Sequence, residues 1–204
     1  MSQINAVIFD IGNVLLTFDY TVAEQEILKH TGKQAPPSQE ELHPLRVEHE
    51  TGLIGRADFV QAVRNAFAHD GPEDHFLDIW SRIFEVNVPM VDWARSLHGE
   101  IPLYLLSNIG CIHHDHIFEE YEFFDALFLD GVYSYKAGVM KPEPRIFEIA
   151  MTQFGIDPST TLYIDDLIDN VRSAESLGFI VHHYDPTRHE LFLQSLGNLR
   201  FSDE

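Results

Sequence analysis

The 204-residue sequence predicts an α/β protein: a parallel sheet flanked by helices, interrupted by an inserted α-helical segment. Three observations carry that reading. Five short runs are almost continuously apolar, the pattern of strands covered on both faces. Segments between the later runs place apolar residues at helical spacing, so strand and helix alternate as in β-α-β units. A long stretch near the N-terminus, residues 18–92, shows helical stripes and no convincing strand.

The first strand is Ile4–Phe9, which runs into the glycine turn Asp10-Ile11-Gly12-Asn13. In the insert, Phe59, Val63, Ala66 and Phe67 make one helical stripe. Phe76, Ile79, Trp80, Ile83 and Phe84 make another. Breaks are expected at Gly32–Ser38, Thr51–Gly55 and Asp70–Pro72. The second strand, Ile101–Leu106, stops at Ser107-Asn108, and a weaker third, Ala126–Leu129, stops at Asp130-Gly131. A helix follows over Pro144–Phe154, with Ile146, Ile149, Ala150 and Phe154 on one face and Gly155 as its C-cap. The fourth strand, Thr161–Ile164, ends at Asp165-Asp166. It is followed by a helix over Leu167–Leu177 and a fifth strand over Phe179–Tyr184. The expected division is residues 1–17 and 93–204 for the sheet-bearing core and 18–92 for the insert.

Composition narrows the partners. Thirteen Lys and Arg against 33 Asp and Glu give a net charge of −20, with no basic run, which excludes a nucleic-acid backbone and an anionic membrane surface as partners. No stretch approaches the ~18 consecutive apolar residues of a spanning helix. The N-terminal residues lack a basic segment followed by an apolar one, and Cys111 is the single cysteine. Both point to a reducing, cytoplasmic setting. The expected oligomeric state is a monomer or homodimer.

In open parallel sheets, ligands bind outside the carboxyl ends of the strands. Asp10, Ser107-Asn108 and Asp165-Asp166 all stand at such ends. Three converging carboxylates repel one another, and a hard divalent cation such as Mg²⁺ relieves this. A carboxylate can also attack phosphorus, given a nearby cation for the developing charge. Lys141, in Met140-Lys141-Pro142, is the candidate.

The order of these motifs resembles the haloacid dehalogenase superfamily from Ile4 to about Tyr184. Phe9-Asp10-Ile-Gly-Asn-Val-Leu-Leu16 is similar to its first motif and Leu105-Leu-Ser107-Asn108 to its second. Lys141-Pro-Glu-Pro-Arg-Ile-Phe147 is similar to the third, and Tyr163-Ile-Asp165-Asp166 with Asn170-Val to the fourth. The insert lies where this family places a type-one helical cap. The resemblance implies a Rossmann-like core and a Mg²⁺-dependent phosphatase. Asp10 would form an aspartyl-phosphate, Ser107 would donate to a phosphoryl oxygen, and Asn108 would fix that loop against substrate. Lys141 would neutralise charge. It also implies a metal held by Asp10, the Gly12 carbonyl and Asp166, with Asp165 binding directly or through water. The substrate would be a small phosphorylated metabolite.

Position 12 departs from most phosphatases of this superfamily, which carry there an Asp for general acid–base work. The Asp-x-Gly-Asn-Val form resembles a subgroup that includes sugar-phosphate phosphatases similar to bacterial α-glucose-1-phosphate phosphatase. Two alternatives follow from the same residues: a catalytically weak ligand-binding or regulatory protein, and a metal-free 2-haloacid dehalogenase. Glu50–Phe59 resembles the substrate-specificity loop of type-one caps, with Arg56 as a cationic substrate ligand. His113-His114-Asp115-His116 has no partner set of zinc spacing and reads as a solvated helix start, with contact to substrate left open. His182-His183 reads as core and edge packing.

Overall fold

The computed structural model describes residues 2–201. A two-residue strand β1 (Ser2–Gln3) precedes the fully buried β2 (Ala6–Phe9). A turn leads to β3 (Leu16–Phe18), and four helices follow: α1 (Tyr20–Leu28), α2 (Gln39–Glu50), α3 (Arg56–Phe67) and α4 (Glu73–Ser81). The Ser38 side chain accepts from the Glu41 N–H while Glu41 accepts from the Ser38 N–H, a reciprocal cap that starts α2 after the expected break.

The chain returns through β4 (Phe84–Val86), which pairs antiparallel with β3. Sequence spacing assigns no strand here, because Ile83 and Phe84 continue the apolar stripe of α4. The chain instead leaves the helix at Arg82. Helix α5 (Val88–Leu97) spans the expected boundary at residue 92. Its Met90, Val91, Ala94 and Leu97 pack into the core of the sheet.

Next come β5 (Leu103–Ser107), α6 (Cys111–Glu120), α7 (Phe123–Leu127), β6 (Asp130–Tyr133) and the single turn α8 (Ser134–Ala137). The third strand thus lies four residues beyond its expected place. Residues 126–127 close a helix, and Asp130-Gly131 open the strand rather than end its predecessor. This is an edge position, where an exposed carboxylate costs little. Then α9 (Pro144–Phe154) ends on Gly155 at φ 64°, as expected. It is followed by β7 (Thr161–Asp165), α10 (Ile168–Ser176), β8 (Ile180–His183), α11 (His189–Ser195) and β9 (Leu199–Arg200), which pairs with β1.

The five-stranded sheet has the order β6-β5-β2-β7-β8, all parallel. Alternation along β2 sends Val7 and Phe9 to a face covered by α5, α6, α7 and α11, and Ile8 to the face covered by α9 and α10. The chain steps from β2 to β5 on one side and later to β7 on the other, so β2 borders the switch point of the sheet. Helices α1–α4 enclose a separate apolar cluster around Trp80, Phe59, Phe67 and Phe76, into which Ile112 of α6 also packs. No helix is long and apolar enough to cross a membrane, among the described residues.

Candidate active site

Register brings the motifs together. Phe9 lies opposite Leu105 on one side and Ile164 on the other, so Asp10 stands beside the ends of β5 and β7. Lys141 is buried at that junction. Its Nζ lies 2.9 Å from Asp10 Oδ1 and 2.7 Å from Asp165 Oδ2, and it donates to the Leu106 carbonyl at 3.0 Å. Asn108 clamps its backbone: the Lys141 N–H donates to Asn108 Oδ1 at 2.8 Å, and Asn108 Nδ2 donates to the Lys141 carbonyl at 2.9 Å.

Both oxygens of Asp165 are taken. Oδ2 accepts from Lys141 and from the Tyr163 hydroxyl, Oδ1 accepts from the Leu167 N–H at 2.8 Å, and Asn170 Nδ2 bridges the two. Asp10 is less occupied. Oδ1 accepts from Lys141 and the Ile11 N–H, whereas Oδ2 has no partner among the described residues. Asp166 offers Oδ2 to Asn13 Nδ2 at 2.9 Å, and its carbonyl accepts from His183 at 2.8 Å. Asn13 reaches it from a left-handed backbone, φ 53°, a conformation that Asn tolerates. The Ser107 hydroxyl and the Gly12 carbonyl make no hydrogen bond among the described residues.

Burial raises the Asp10 carboxyl to about 7; Lys141 opposes this and Asp165 adds to it. Burial raises Asp166 as well, against its bond from Asn13. For Asp165, burial is outweighed by Lys141 and by the Tyr163 and Leu167 donors, which hold it below the ordinary carboxylate value. Asp165 and Lys141 are therefore an ion pair, whereas at Asp10 and Asp166 burial disfavours the charged form and the neighbouring carboxylate adds to this. Oxygens of Asp10, Asp165 and Asp166 lie within 4.8 Å of one another. With two of the three carboxylates unsaturated and a free carbonyl at Gly12, this oxygen set fits a hard divalent cation.

The carboxylates open into a cleft of about 300 Å³. Ser107, Asn108, Lys141, Asp166 and the Asp10–Asn13 turn form its sheet side. Phe18, Tyr20, His43, Arg46 and Glu50 face them from β3 and the helical layer. Arg56 does not line the cleft. Its guanidinium lies 3.5 Å from Asp115, and the cation of the insert that does line the cleft is Arg46, seated over the Tyr20 ring at 4.9 Å. His113 also departs from its expected solvated position. It is buried, lines the cleft and donates through Nε2 to the Trp80 carbonyl at 3.1 Å, while burial lowers its pKa to about 4. Sequence spacing gives no signal for Arg46 or Glu50. Both lie on the C-terminal half of α2, whose face toward the sheet is set by docking alone.

A parallel sheet that gathers carboxylates and a buried lysine at its switch point is the framework of an aspartate-centred α/β hydrolase. The chain belongs to the haloacid dehalogenase-like hydrolase family, whose model matches residues 4–178. It is 26% identical over 189 residues to a D-ribitol-5-phosphate phosphatase of Bacteroides thetaiotaomicron, covering 87% of this chain and 90% of that one. A sesquiterpene phosphatase of Aspergillus oryzae is 25% identical over 183 residues, covering 87% and 88%. A HAD-family enzyme from B. thetaiotaomicron, crystallised with magnesium and inorganic phosphate, superposes with a TM-score of 0.80 at 25% identity, over 90% of this chain and 95% of that one.

Proposed function

We propose that the protein is a Mg²⁺-dependent phosphoric monoester hydrolase that acts on a small phosphorylated metabolite through an aspartyl-phosphate on Asp10. The observation that carries this reading is the asymmetry of Asp10: one oxygen is anchored by Lys141 and the Ile11 N–H, and the other is free at the cleft. A carboxylate held in one rotamer with one lone-pair face open is set for in-line attack. The two phosphatase relatives and the neighbour crystallised with magnesium and phosphate support the same reaction class.

Each residue then has a task. Asp10, Asp166 and the Gly12 carbonyl would hold the metal. When bound, it neutralises charge on the phosphoryl oxygens. Asp165, saturated by its neighbours, orients Lys141 and stays out of direct coordination. Ser107 donates its free hydroxyl to a phosphoryl oxygen, Lys141 offsets the charge developing between nucleophile and phosphate, and Asn108 fixes Lys141 through its backbone. The helical layer acts as a cap that excludes water, and Arg46 takes the substrate-facing position expected of Arg56. The cleft volume and the resemblance of Asp10–Asn13 to the sugar-phosphate subgroup support a polyol or sugar phosphate.

The protein should hydrolyse p-nitrophenyl phosphate with Mg²⁺ present, and EDTA should abolish this. Asp10→Asn should lower kcat by on the order of 10³-fold or more, as loss of a nucleophile does. Full activity in that variant would overturn the covalent mechanism. Chloride release from chloroacetate in metal-free buffer would replace the phosphatase reading with dehalogenation.

A further inference from the structure

An alkyl phosphate leaves as an alkoxide unless something protonates it, so its cleavage near neutral pH calls for a general acid. Position 12 supplies no side chain. A Cβ on Gly12 would stand 3.0 Å from Cε1 of the exposed Phe18, so the side chain that lies against this place is an aromatic ring without a proton to give. Three carboxyls line the cleft. Asp10 and Asp166 belong to the nucleophile and metal set. The third is Glu50, the last residue of α2. Its carboxyl makes no hydrogen bond or ion pair among the described residues, although it is half-buried at the cleft. The charged and titratable groups around it are Arg46 and His43 on its own helix, Tyr20 on α1, His113 on α6, and Asp10 and Lys141 across the cleft.

We infer that Glu50 is the general acid–base of the reaction, supplying from the helical layer what position 12 lacks. This rests on the phosphatase reading above. In the first half-reaction Asp10 Oδ2 bonds to phosphorus, the bond from phosphorus to the ester oxygen breaks, and the departing oxygen takes the Glu50 proton to leave as an alcohol. In the second, the Glu50 carboxylate takes a proton from water as that oxygen bonds to phosphorus and the bond from phosphorus to Asp10 Oδ2 breaks, its electron pair returning to the Asp10 carboxylate. Inorganic phosphate leaves, and both carboxyls return to their starting states. The environment suits this cycle: burial, with Asp10 adding and Arg46 opposing, raises the Glu50 carboxyl to about 7.

The test compares Glu50→Gln with the intact protein on two esters, with Mg²⁺ bound: β-glycerol phosphate, whose alkoxide needs a proton, and 2,4-dinitrophenyl phosphate, whose phenolate does not. On the alkyl ester, kcat/KM should fall about 10²–10⁴-fold, while the aryl ester should lose less than about five-fold. The intact protein should lose kcat/KM on the alkyl ester as pH rises through about 7, and Glu50→Gln should lack that limb. Glu50→Asp should recover part of the alkyl activity, and an unchanged melting temperature in Glu50→Gln separates chemistry from folding. Equal losses on both esters, no loss on either, or an intact protein that cleaves only the aryl ester would overturn the assignment of Glu50 and leave phospho-Asp10 standing. An intact protein that cleaves neither ester, with Asp10→Asn no different, would bring down the phosphatase reading and this assignment together.

Discussion

At the scale of single residues, His113 shows how much the environment decides. On an exposed helix start it would titrate near its ordinary value; buried against Trp80 and Tyr20, it is held neutral down to about pH 4. Its folded-state pKa lies below the unfolded value of 6.5, so the unfolded chain binds the extra proton first as pH falls. Stability should be unaffected by this group above pH 6.5. It should decline between there and pH 4, by on the order of 3 kcal/mol. Urea denaturation at pH 7 and pH 4.5 should show a smaller loss for His113→Gln, which keeps a donor for the Trp80 carbonyl and cannot titrate. Asp10, Ser107, Lys141 and Asp166 were legible in the sequence because strand ends and a lysine before a helix have fixed places in a parallel sheet. Arg46 was not, Glu50 stood only as the first residue of the segment that resembles a specificity loop, and His113 read as solvated. Each owes its position to the docking of one helix on another, which no local spacing encodes.

At the scale of elements, the link between α2 and α3 holds Glu50 in place. Gly52 adopts φ 71°, and a Cβ there would collide with the Tyr135 carbonyl oxygen, so the link lies directly on the backbone of α8. The His49 ring lies against Gly110 at the start of α6 in the same way. Gly52→Ala is strained both by its left-handed backbone and by the collision. With Glu50 two residues away, the variant should lose on the order of 10–10²-fold in kcat/KM on an alkyl phosphate, the scale expected from small misplacement of reacting groups. Its melting temperature should also fall; unchanged kinetics would show that the link does not position the site. Strand legibility followed burial. β2, β5 and β7, covered on both faces, read as apolar runs near their true bounds. β6 at the edge, with Asp130 exposed, slipped by four residues, and β4 of the β3–β4 ribbon was hidden because Phe84 also fits the helical stripe of α4.

At the scale of the molecule, the fold class was readable because a doubly covered sheet leaves few polar positions in its strands. The seating of the helical layer over the carboxyl edge was implied only by the family resemblance, since its apolar stripes report that helices pack without saying where. The net charge of −20 acts at this scale too. A phosphorylated substrate approaches a like-charged surface, and Lys141 and Arg46 are the lysine and arginine lining the cleft. Screening weakens repulsion more than it weakens buried contacts as the Debye length shrinks from ~30 Å at about 0.01 M to ~8 Å at about 0.15 M ionic strength. The value of kcat/KM on p-nitrophenyl phosphate should therefore rise over that range at constant Mg²⁺. A fall would mean that the cleft cations dominate the encounter.

The ring of Phe18 over Gly12 also bears on how this sequence can change. A side chain placed at position 12 would meet the ring edge at 3.0 Å, so the exposed ring would have to give by a few tenths of an ångström. Trimming Phe18 to a smaller residue would make that room, and the two positions are best varied together when an acid is built in at the turn.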